Sequence, residues 1–577
     1  MKKILSVSFI LTFFFSTGLI YSQVTFTDQA IALGVNDGGA AQGVVFLDVN
    51  NDGFLDIFLA NNNTQSKLWL NNSGTSFTDV SASWGLNLMS PTRGTSAADY
   101  NNDGFIDIVV GNWQTPIMLF KNTGTAYQDV SSTAGINFMS YGGSVNWIDF
   151  NKDGKIDFLF ANDGMPPRYN YFFRNDNLTS FTNIAFTIGL IDSSSTLCLA
   201  AADYNNDGYP DLFLGTQSYP GSTTTGILYK NNGNGTFSDV TMASGIITTF
   251  YTWGAEWGDY NNDGFMDLYL SSTTGYNQLF KNNGNGTFSD VSIAVGLGTD
   301  YGQSYSCGWA DIDNDGDLDL YVAKGQTYAD KMYRNDDSIF TDIAGTCGMG
   351  DLRHSSCVSW GDYNNDGFPD LYLNNNGTEN RLYKNSGNSN KWVEFKLIGT
   401  NSNKSAIGAR VRIKTGTKNQ IREVEGGSGG KGMNSLPLEF GIGTSTVIDS
   451  VIVNWPSGLI QRFANVNPNT IYSLTEGQPL GVNNLNTGIP EKYSLSQNYP
   501  NPFNPNTIIR FQIKDTRFVT LKVYDILGKE IAVLVNENKK EGYYETEFRA
   551  ENIPSGVYFY TLKADSYTET KKMLYIK

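Results

Sequence analysis

The residues best placed to do chemistry in this 577-residue chain are carboxylates held at one fixed spacing. The nine-residue pattern Asp-x-Asn/Asp-x-Asp-Gly-x-x-Asp occurs seven times, opening at residues 50 to 56 apart. Side chains one, three, five and nine of such a loop converge, Gly at six allows the sharp turn, and position seven adds a backbone carbonyl. The seven ligand sets are Asp48, Asn50, Asp52, Phe54 and Asp56; Asp99, Asn101, Asp103, Phe105 and Asp107; Asp149, Asn151, Asp153, Lys155 and Asp157; Asp203, Asn205, Asp207, Tyr209 and Asp211; Asp259, Asn261, Asp263, Phe265 and Asp267; Asp311, Asp313, Asp315, Asp317 and Asp319; and Asp362, Asn364, Asp366, Phe368 and Asp370. Five or more hard oxygens with no nitrogen or sulfur suit Ca²⁺ and serve zinc poorly. A lone Asp-Asn-Gly loop is an ordinary hairpin turn. Seven that keep the same four side-chain positions are read as cation sites. Their crowded carboxylates repel without a counter-ion, and seven Ca²⁺ would bring the formal charge of −17 to about −3.

The elements that must position these loops repeat with them. Each loop follows a strand of small and apolar residues, such as Gly43 to Leu47 or Trp253 to Gly258, and precedes an apolar strand such as Asp267-Leu-Tyr-Leu270. A third strand of the type Leu-Tyr-Lys-Asn follows (Leu228 to Asn231, Leu279 to Asn282, Leu382 to Asn385). An Asn-Gly-rich turn then leads to a Phe-Ser/Thr-Asp strand at Phe77, Phe237, Phe288 or Phe340. Four short strands per repeat predict the blades of a β-propeller. The last repeat lacks its fourth strand, while an extra Phe26-Thr27-Asp28 precedes the first loop. Residues 24–30 are therefore predicted to complete blade seven, closing the ring and removing its exposed edges.

With those motifs in view, residues 24–386 resemble FG-GAP (VCBS-type) repeats, the units of the integrin α-subunit propeller. The resemblance implies calcium loops on one face and ligand engagement through the opposite loops. Those loops carry Arg93, Trp113, Tyr219, Tyr251, Tyr276, Tyr301, Tyr328 and Arg353. Two readings of these side chains stand: stacking on sugars or a peptide, or packing between blades.

After the repeats, Trp392 to Gly399, Ala406-Ile-Gly-Ala-Arg-Val411, Phe440-Gly-Ile-Gly443 and Val453 to Gly458 alternate apolar and polar positions, which predicts a small β domain over 391–477. These phrases resemble the ASPIC/UnbV domain. Gly426 to Ser435 departs from it by being unusually glycine-rich and by lacking the aromatic and His residues often found there. A polar linker is read at 478–490. Residues 491–577 open with Asn498-Tyr-Pro-Asn-Pro-Phe-Asn-Pro505 and end in Lys571 to Lys577. They resemble the type A C-terminal sorting domain of the type IX secretion system, which implies a small Ig-like sandwich and passage across the outer membrane. The predicted architecture is thus all-β: a seven-bladed propeller over 23–390, a small β domain and a C-terminal sandwich.

Composition narrows the function. An acidic chain without clustered Lys and Arg does not suit nucleic acid. Lys2 and Lys3, the mostly apolar run Ile4 to Ile20 and small Ser22 read as a signal peptide over 1–22, and no later segment is apolar enough to span a bilayer. A secreted or cell-surface location follows. Cys198, Cys307, Cys347 and Cys357 fit no zinc spacing and read as buried small side chains, with a Cys347–Cys357 bridge as the alternative. The single histidine, His354, rules out a His-rich metal site, and no nucleophile elbow or phosphate loop is present. Glu256, flanked by Ala255 and Trp257, is the one acid outside the loops worth watching: a channel-lining group, or a buried paired carboxylate. The expectation is a non-enzymatic adhesion or binding module for an extracellular glycan or protein, handled by the type IX machinery. The alternatives are a structural component of the surface layer or matrix and, less favoured, a propeller hydrolase.

Overall fold

The structure, a computed structural model, describes residues 24–577 apart from 63, 87, 165–168, 218–224, 249, 326, 483–492, 496, 499–500 and 551–552. The signal-peptide reading over 1–22 and the candidate Tyr219 lie outside the described residues. The regular secondary structure described is almost all strand, in two compact units, the first ending at Val482 and the second beginning at Asn483.

In the first unit each repeat makes one antiparallel sheet whose strands pair in chain order. The first sheet runs Ala41–Leu47, Asp56–Asn61, Lys67–Asn71 and Phe77–Asp79, and five more follow the same order. The second of these gains a fifth strand, Met139–Tyr141, on Asp107–Pro116. The last sheet runs Ser355–Gly361, Asp370–Asn375 and Arg381–Asn385, and its fourth strand is Phe26–Asp28, with Phe26 opposite Asn385 and Asp28 opposite Tyr383. The predicted closing segment therefore pairs where the missing strand would lie. The first strands of successive sheets touch in cyclic order, from Ala41–Leu47 through Thr92–Ala98, Val145–Ile148, Thr196–Ala202, Thr252–Gly258 and Ser304–Ala310 to Ser355–Gly361, which touches Ala41–Leu47 again. Crowding around that axis explains their small residues. A Cβ on Gly94 would lie 2.0 Å from the carbonyl oxygen of Gly143 on the next sheet.

Residues 391–482 form two four-stranded sheets, one containing Lys391–Ile398, Leu438–Gly443, Ile471–Thr475 and Gly481–Val482, the other Arg410–Thr415, Lys418–Glu423, Ile448–Asn454 and Ile460–Val466. The strand Gly481–Val482 pairs with Tyr472 and Ser473, so the sheet runs into the stretch read from the sequence as linker. Nor does this segment stand apart. Its Val393, Phe395, Val411, Phe440 and Trp455 share one buried apolar cluster with Tyr100, Trp147, Phe158 and Phe181 of the repeat sheets.

The second unit has a three-stranded sheet (Ser494–Leu495, Asn506–Ile513, Gly542–Arg549) and a four-stranded one (Arg517–Asp525, Glu530–Lys539, Gly556–Ala564, Tyr567–Tyr575) around a core of its own that includes Phe503, Phe511, Leu521 and Tyr560. All four cysteines are buried free thiols, so the Cys347–Cys357 bridge is not formed.

Candidate functional site: the acidic loops and the filled channel

Every acidic loop has the same internal frame. In the first, Asp48 accepts hydrogen bonds from the backbone N–H groups of Asp52 (3.1 Å) and Gly53 (2.9 Å), Asn50 accepts from Asp52 (3.1 Å), and Asp52 accepts from Phe54 (2.9 Å). These contacts recur at the matching positions of the other six loops, down to Asp362, Asn364 and Asp366 in the last. They turn the side-chain oxygens at positions one, three and five inward on a short turn. The position-four residue sits at φ 56 to 60° in all seven loops, a left-handed conformation that Asn tolerates better than most residues; it is Asn everywhere except Lys152.

Position nine opens the second strand, and its burial decides the electrostatics. Asp56, Asp107, Asp157, Asp211, Asp267, Asp319 and Asp370 are fully or almost fully buried. Each accepts the backbone N–H of the Asn that ends the third strand, at 2.7 to 2.8 Å. The second carboxylate oxygen of Asp157, Asp267 and Asp370 has no hydrogen-bond partner among the described residues. Burial pushes these acids up, Asp56 to about 8 and the other six well above the carboxylate range. Burial also raises the opening acids, Asp99, Asp149 and Asp259 to about 6, and burial with the charges of Asp313 and Asp317 lifts Asp315 to about 7. Oxygens of Asp311, Asp313 and Asp315 all lie within 4.8 Å of one another. Such acids are stably ionised together only beside a cation. An all-oxygen donor set, an unpartnered buried oxygen and mutual repulsion fit Ca²⁺ held by positions one, three, five and nine with the position-seven carbonyl.

The sequence reading passed over the Asn of the Leu-Tyr-Lys-Asn strand. Asn71, Asn122, Asn175, Asn231, Asn282, Asn335 and Asn385 are all buried. Each side-chain amide donates both to the carbonyl just before its own position-nine Asp and to the loop carbonyl at position two of the preceding sheet, for example Asn282 to Met266 (3.1 Å) and Tyr204 (2.8 Å). The position-four Asn residues reach the other way: Asn51 donates to Gly104 (2.9 Å), and Asn365 donates to Gly53 (3.2 Å), which carries the pattern from the last sheet back to the first. The invariable Asn at one strand end was the available signal, but its partner on the preceding sheet lies 73 residues or more away. Asn282→Ala leaves two buried carbonyls short of a donor and is expected to cost about 2–3 kcal/mol in chemical denaturation, against under about 0.5 kcal/mol for Asn283→Ala on the exposed turn.

The small domain sits over these loops. Lys396 donates to the Gly53 carbonyl (3.1 Å), Lys418 pairs with Asp317 (2.9 Å), and the Arg410 guanidinium binds the Asp203 carbonyl (2.5 Å) while paired to Glu423 (2.6 Å). From this domain the glycine-rich stretch Gly426 to Ser435 runs down the axis between the first strands and back. The Gly426 carbonyl accepts from Trp147 N–H (2.8 Å) and Ser96 Oγ (2.6 Å), Gly429 from Cys307 (3.3 Å), and the Lys431 carbonyl from Thr95 (3.0 Å). On the return, Met433 N–H donates to Val44 (3.1 Å) and Ser435 N–H to Trp360 (2.9 Å). The channel is filled by this chain's own backbone. Glu256, on one of the first strands and fully buried, accepts from Asn434 of the inserted loop (2.8 Å), and burial raises it to about 8. It is thus a buried carboxylate paired to an amide, one of the two readings the sequence allowed.

The opposite face gathers only some of the sequence-predicted ligand residues. The Arg93 guanidinium lies 3.9 Å from the centre of the Trp113 ring. Tyr276 and Tyr301 meet edge to face at 5.2 Å, and both are about half exposed. Tyr328 stands 5.7 Å from the Lys324 ammonium. Arg353 is taken up by Asp351 (3.0 Å) and Glu379 (3.7 Å), and Tyr251 is held through its backbone N–H by Thr274 (3.0 Å). Lys324 also donates to the Tyr301 carbonyl (3.4 Å), so Tyr276, Tyr301 and Tyr328 adjoin one another.

Comparison with known families follows the same divisions. The FG-GAP-like repeat family matches residues 48–110, 99–160, 149–214, 219–270 and 259–322, and the FG-GAP repeat family matches 199–235. The ASPIC and UnbV family matches 399–480, and the secretion system C-terminal sorting domain matches 497–577. Cartilage acidic protein 1 of Xenopus tropicalis is 25% identical over 303 residues, 48% of this chain and 44% of that protein. The Mus musculus protein of that name is 36% identical over 94 residues, 16% of this chain and 15% of its own. The chain thus spans less than half the length of the curated relatives it matches. Among solved structures, Saccharomyces cerevisiae Sqt1 overlays with a TM-score of 0.38 at 10% identity, covering 77% of this chain and 98% of that one. PorZ of Porphyromonas gingivalis, a surface component of the type IX secretion system, overlays with a TM-score of 0.21 at 11% identity, covering 94% and 82%. Overlays at that level carry no functional information. No described helix is long and apolar enough to cross a membrane. The chain carries FG-GAP-like repeats, an ASPIC/UnbV domain and a type IX secretion sorting domain, and it is exported to the cell surface or beyond.

Proposed function

We propose that residues 24–386 act as a calcium-loaded, seven-bladed β-propeller, locked to the small domain and presented outside the cell as a non-enzymatic binding module for a glycan or protein. The second unit, two small sheets around one core, is read as an Ig-like sandwich serving export. The observation that carries the calcium reading is the repeated loop frame with its buried position-nine Asp, three of them with an unpartnered oxygen. Calcium, when bound, supplies the charge that lets these acids ionise. The chain's own residues do the rest: the Asn ladder ties each loop to its neighbour, and the small domain caps them. The binding reading rests on the opposite face, where the exposed Tyr276, Tyr301 and Tyr328 and the Arg93–Trp113 pair offer rings and a charge to solvent. The test is retention of the full chain on an array of polysaccharides and matrix proteins, in millimolar calcium and in EGTA. Saturable, calcium-dependent retention is the expected result. Silence from folded, calcium-loaded protein would favour a structural role in the surface layer or matrix.

A further inference from the structure

The tip of the inserted loop brings a cation to the mouth of the channel on the face away from the acidic loops. Lys431 is 7% exposed and makes no ion pair among the described residues; its ammonium lies 3.4 Å from Gln42 Oε1 and 5.1 Å from the Trp253 ring centre. A buried ammonium with one long neutral contact is costly to keep charged, and burial with the nearby Arg93 lowers it to about 8. Arg93 is also under-satisfied: its Nε has no partner among the described residues, and its ion pair with Asp163 is long, at 3.7 Å. Among the described residues, Lys431 and Arg93 face one acid, Asp163, on a chain of formal charge −17. Around them stand part-exposed rings: Trp113 under Arg93, and Trp253 packed on Tyr305 (5.2 Å), which in turn meets His354 (4.9 Å).

We propose that this mouth binds the carboxylate of an acidic sugar, with Lys431 and Arg93 receiving the charge and Trp253 and Tyr305 offering flat apolar faces to the ring. A carboxylate supplies the anionic acceptor that Lys431, held only by Gln42, does not have and the acceptor that the Arg93 Nε lacks among the described residues. Rigid aromatic walls favour a pyranose over a flexible acidic peptide, because little side-chain entropy is lost on contact. This deepens the binding-module reading and rests on it.

The experiment is titration calorimetry of the calcium-loaded full chain with trigalacturonic acid, with its neutral galactose counterpart, and with an Asp/Glu peptide of equal charge. Trigalacturonic acid alone is expected to bind. Lys431→Met is expected to weaken it about 10- to 100-fold, the usual worth of a charge-assisted contact, with Lys431→Arg recovering part of the loss and Arg93→Met lowering affinity independently. The Lys431→Met melting temperature should not fall, since it removes a buried charge, so lost binding is not lost folding. Equal binding of the neutral sugar, capture of the peptide alone, or undiminished binding by Lys431→Met would each overturn the proposal. Neutral glycan retained elsewhere on the protein removes this inference and leaves the binding module standing, whereas no binding to any probe or array component removes both.

Discussion

Adding EGTA to the purified protein is expected to lower its melting temperature by on the order of 10 °C or more, with full recovery on returning calcium. The loops require this because their acids are buried and crowded, and a bound cation stabilises only the folded form. At 1 mM calcium and a dissociation constant of about 10⁻⁴ M, each site contributes about 1.4 kcal/mol by mass action, and seven together about 10 kcal/mol. In a chain of this size each kcal/mol moves the midpoint by a degree or two. Magnesium should restore little, because it demands tighter octahedral geometry and sheds water reluctantly. Scanning calorimetry in calcium, in EGTA and in EGTA with excess magnesium measures all three. An identical melting temperature in calcium and EGTA would remove calcium from the account of the fold.

The second large effect is expected at the inserted loop. Gly429 has φ +60°, and a Cβ there would lie 2.1 Å from the Cys307 carbonyl oxygen. Gly429→Ala therefore adds a left-handed penalty of about 1 kcal/mol to a backbone clash that neither strand can relieve, for a total of about 3 kcal/mol or more. Gly477 is the control: φ is +76°, yet nothing lies within 4 Å of its Cβ position, so Gly477→Ala should cost only the first part. Equilibrium denaturation of the two variants compares them directly. Equal costs would mean that the loop does not occupy the channel in solution.

The channel also bears on Glu256. The sequence left it either lining an axial opening or buried and paired, and Asn434 of the inserted loop, standing against it at 2.8 Å, decides for the second. The glycines of 426–432 were visible as an oddity of composition. Their reason is close approach: a Cβ on Gly426 would come within 2.0 Å of Trp147 O, and one on Gly432 within 2.5 Å of Val44 O.

The sequence alone determined what depends on neighbours a few residues apart. The acidic loops, their Gly and Asn turn positions, the four-strand repeat and the orphan Phe26–Asp28 strand are local patterns, and local turn chemistry writes them directly into residue order. Ring closure was readable too, because a missing strand at one end and a spare at the other leave one economical pairing, found between Phe26 and Asn385. What only the tertiary structure decided joins residues hundreds of positions apart: Gly426 against Ser96, Lys431 beside Gln42, Asn434 against Glu256. No period or propensity encodes such contacts. They follow from how a seven-sheet ring leaves an axial gap of one size, and from a glycine-rich loop being thin enough to fill it.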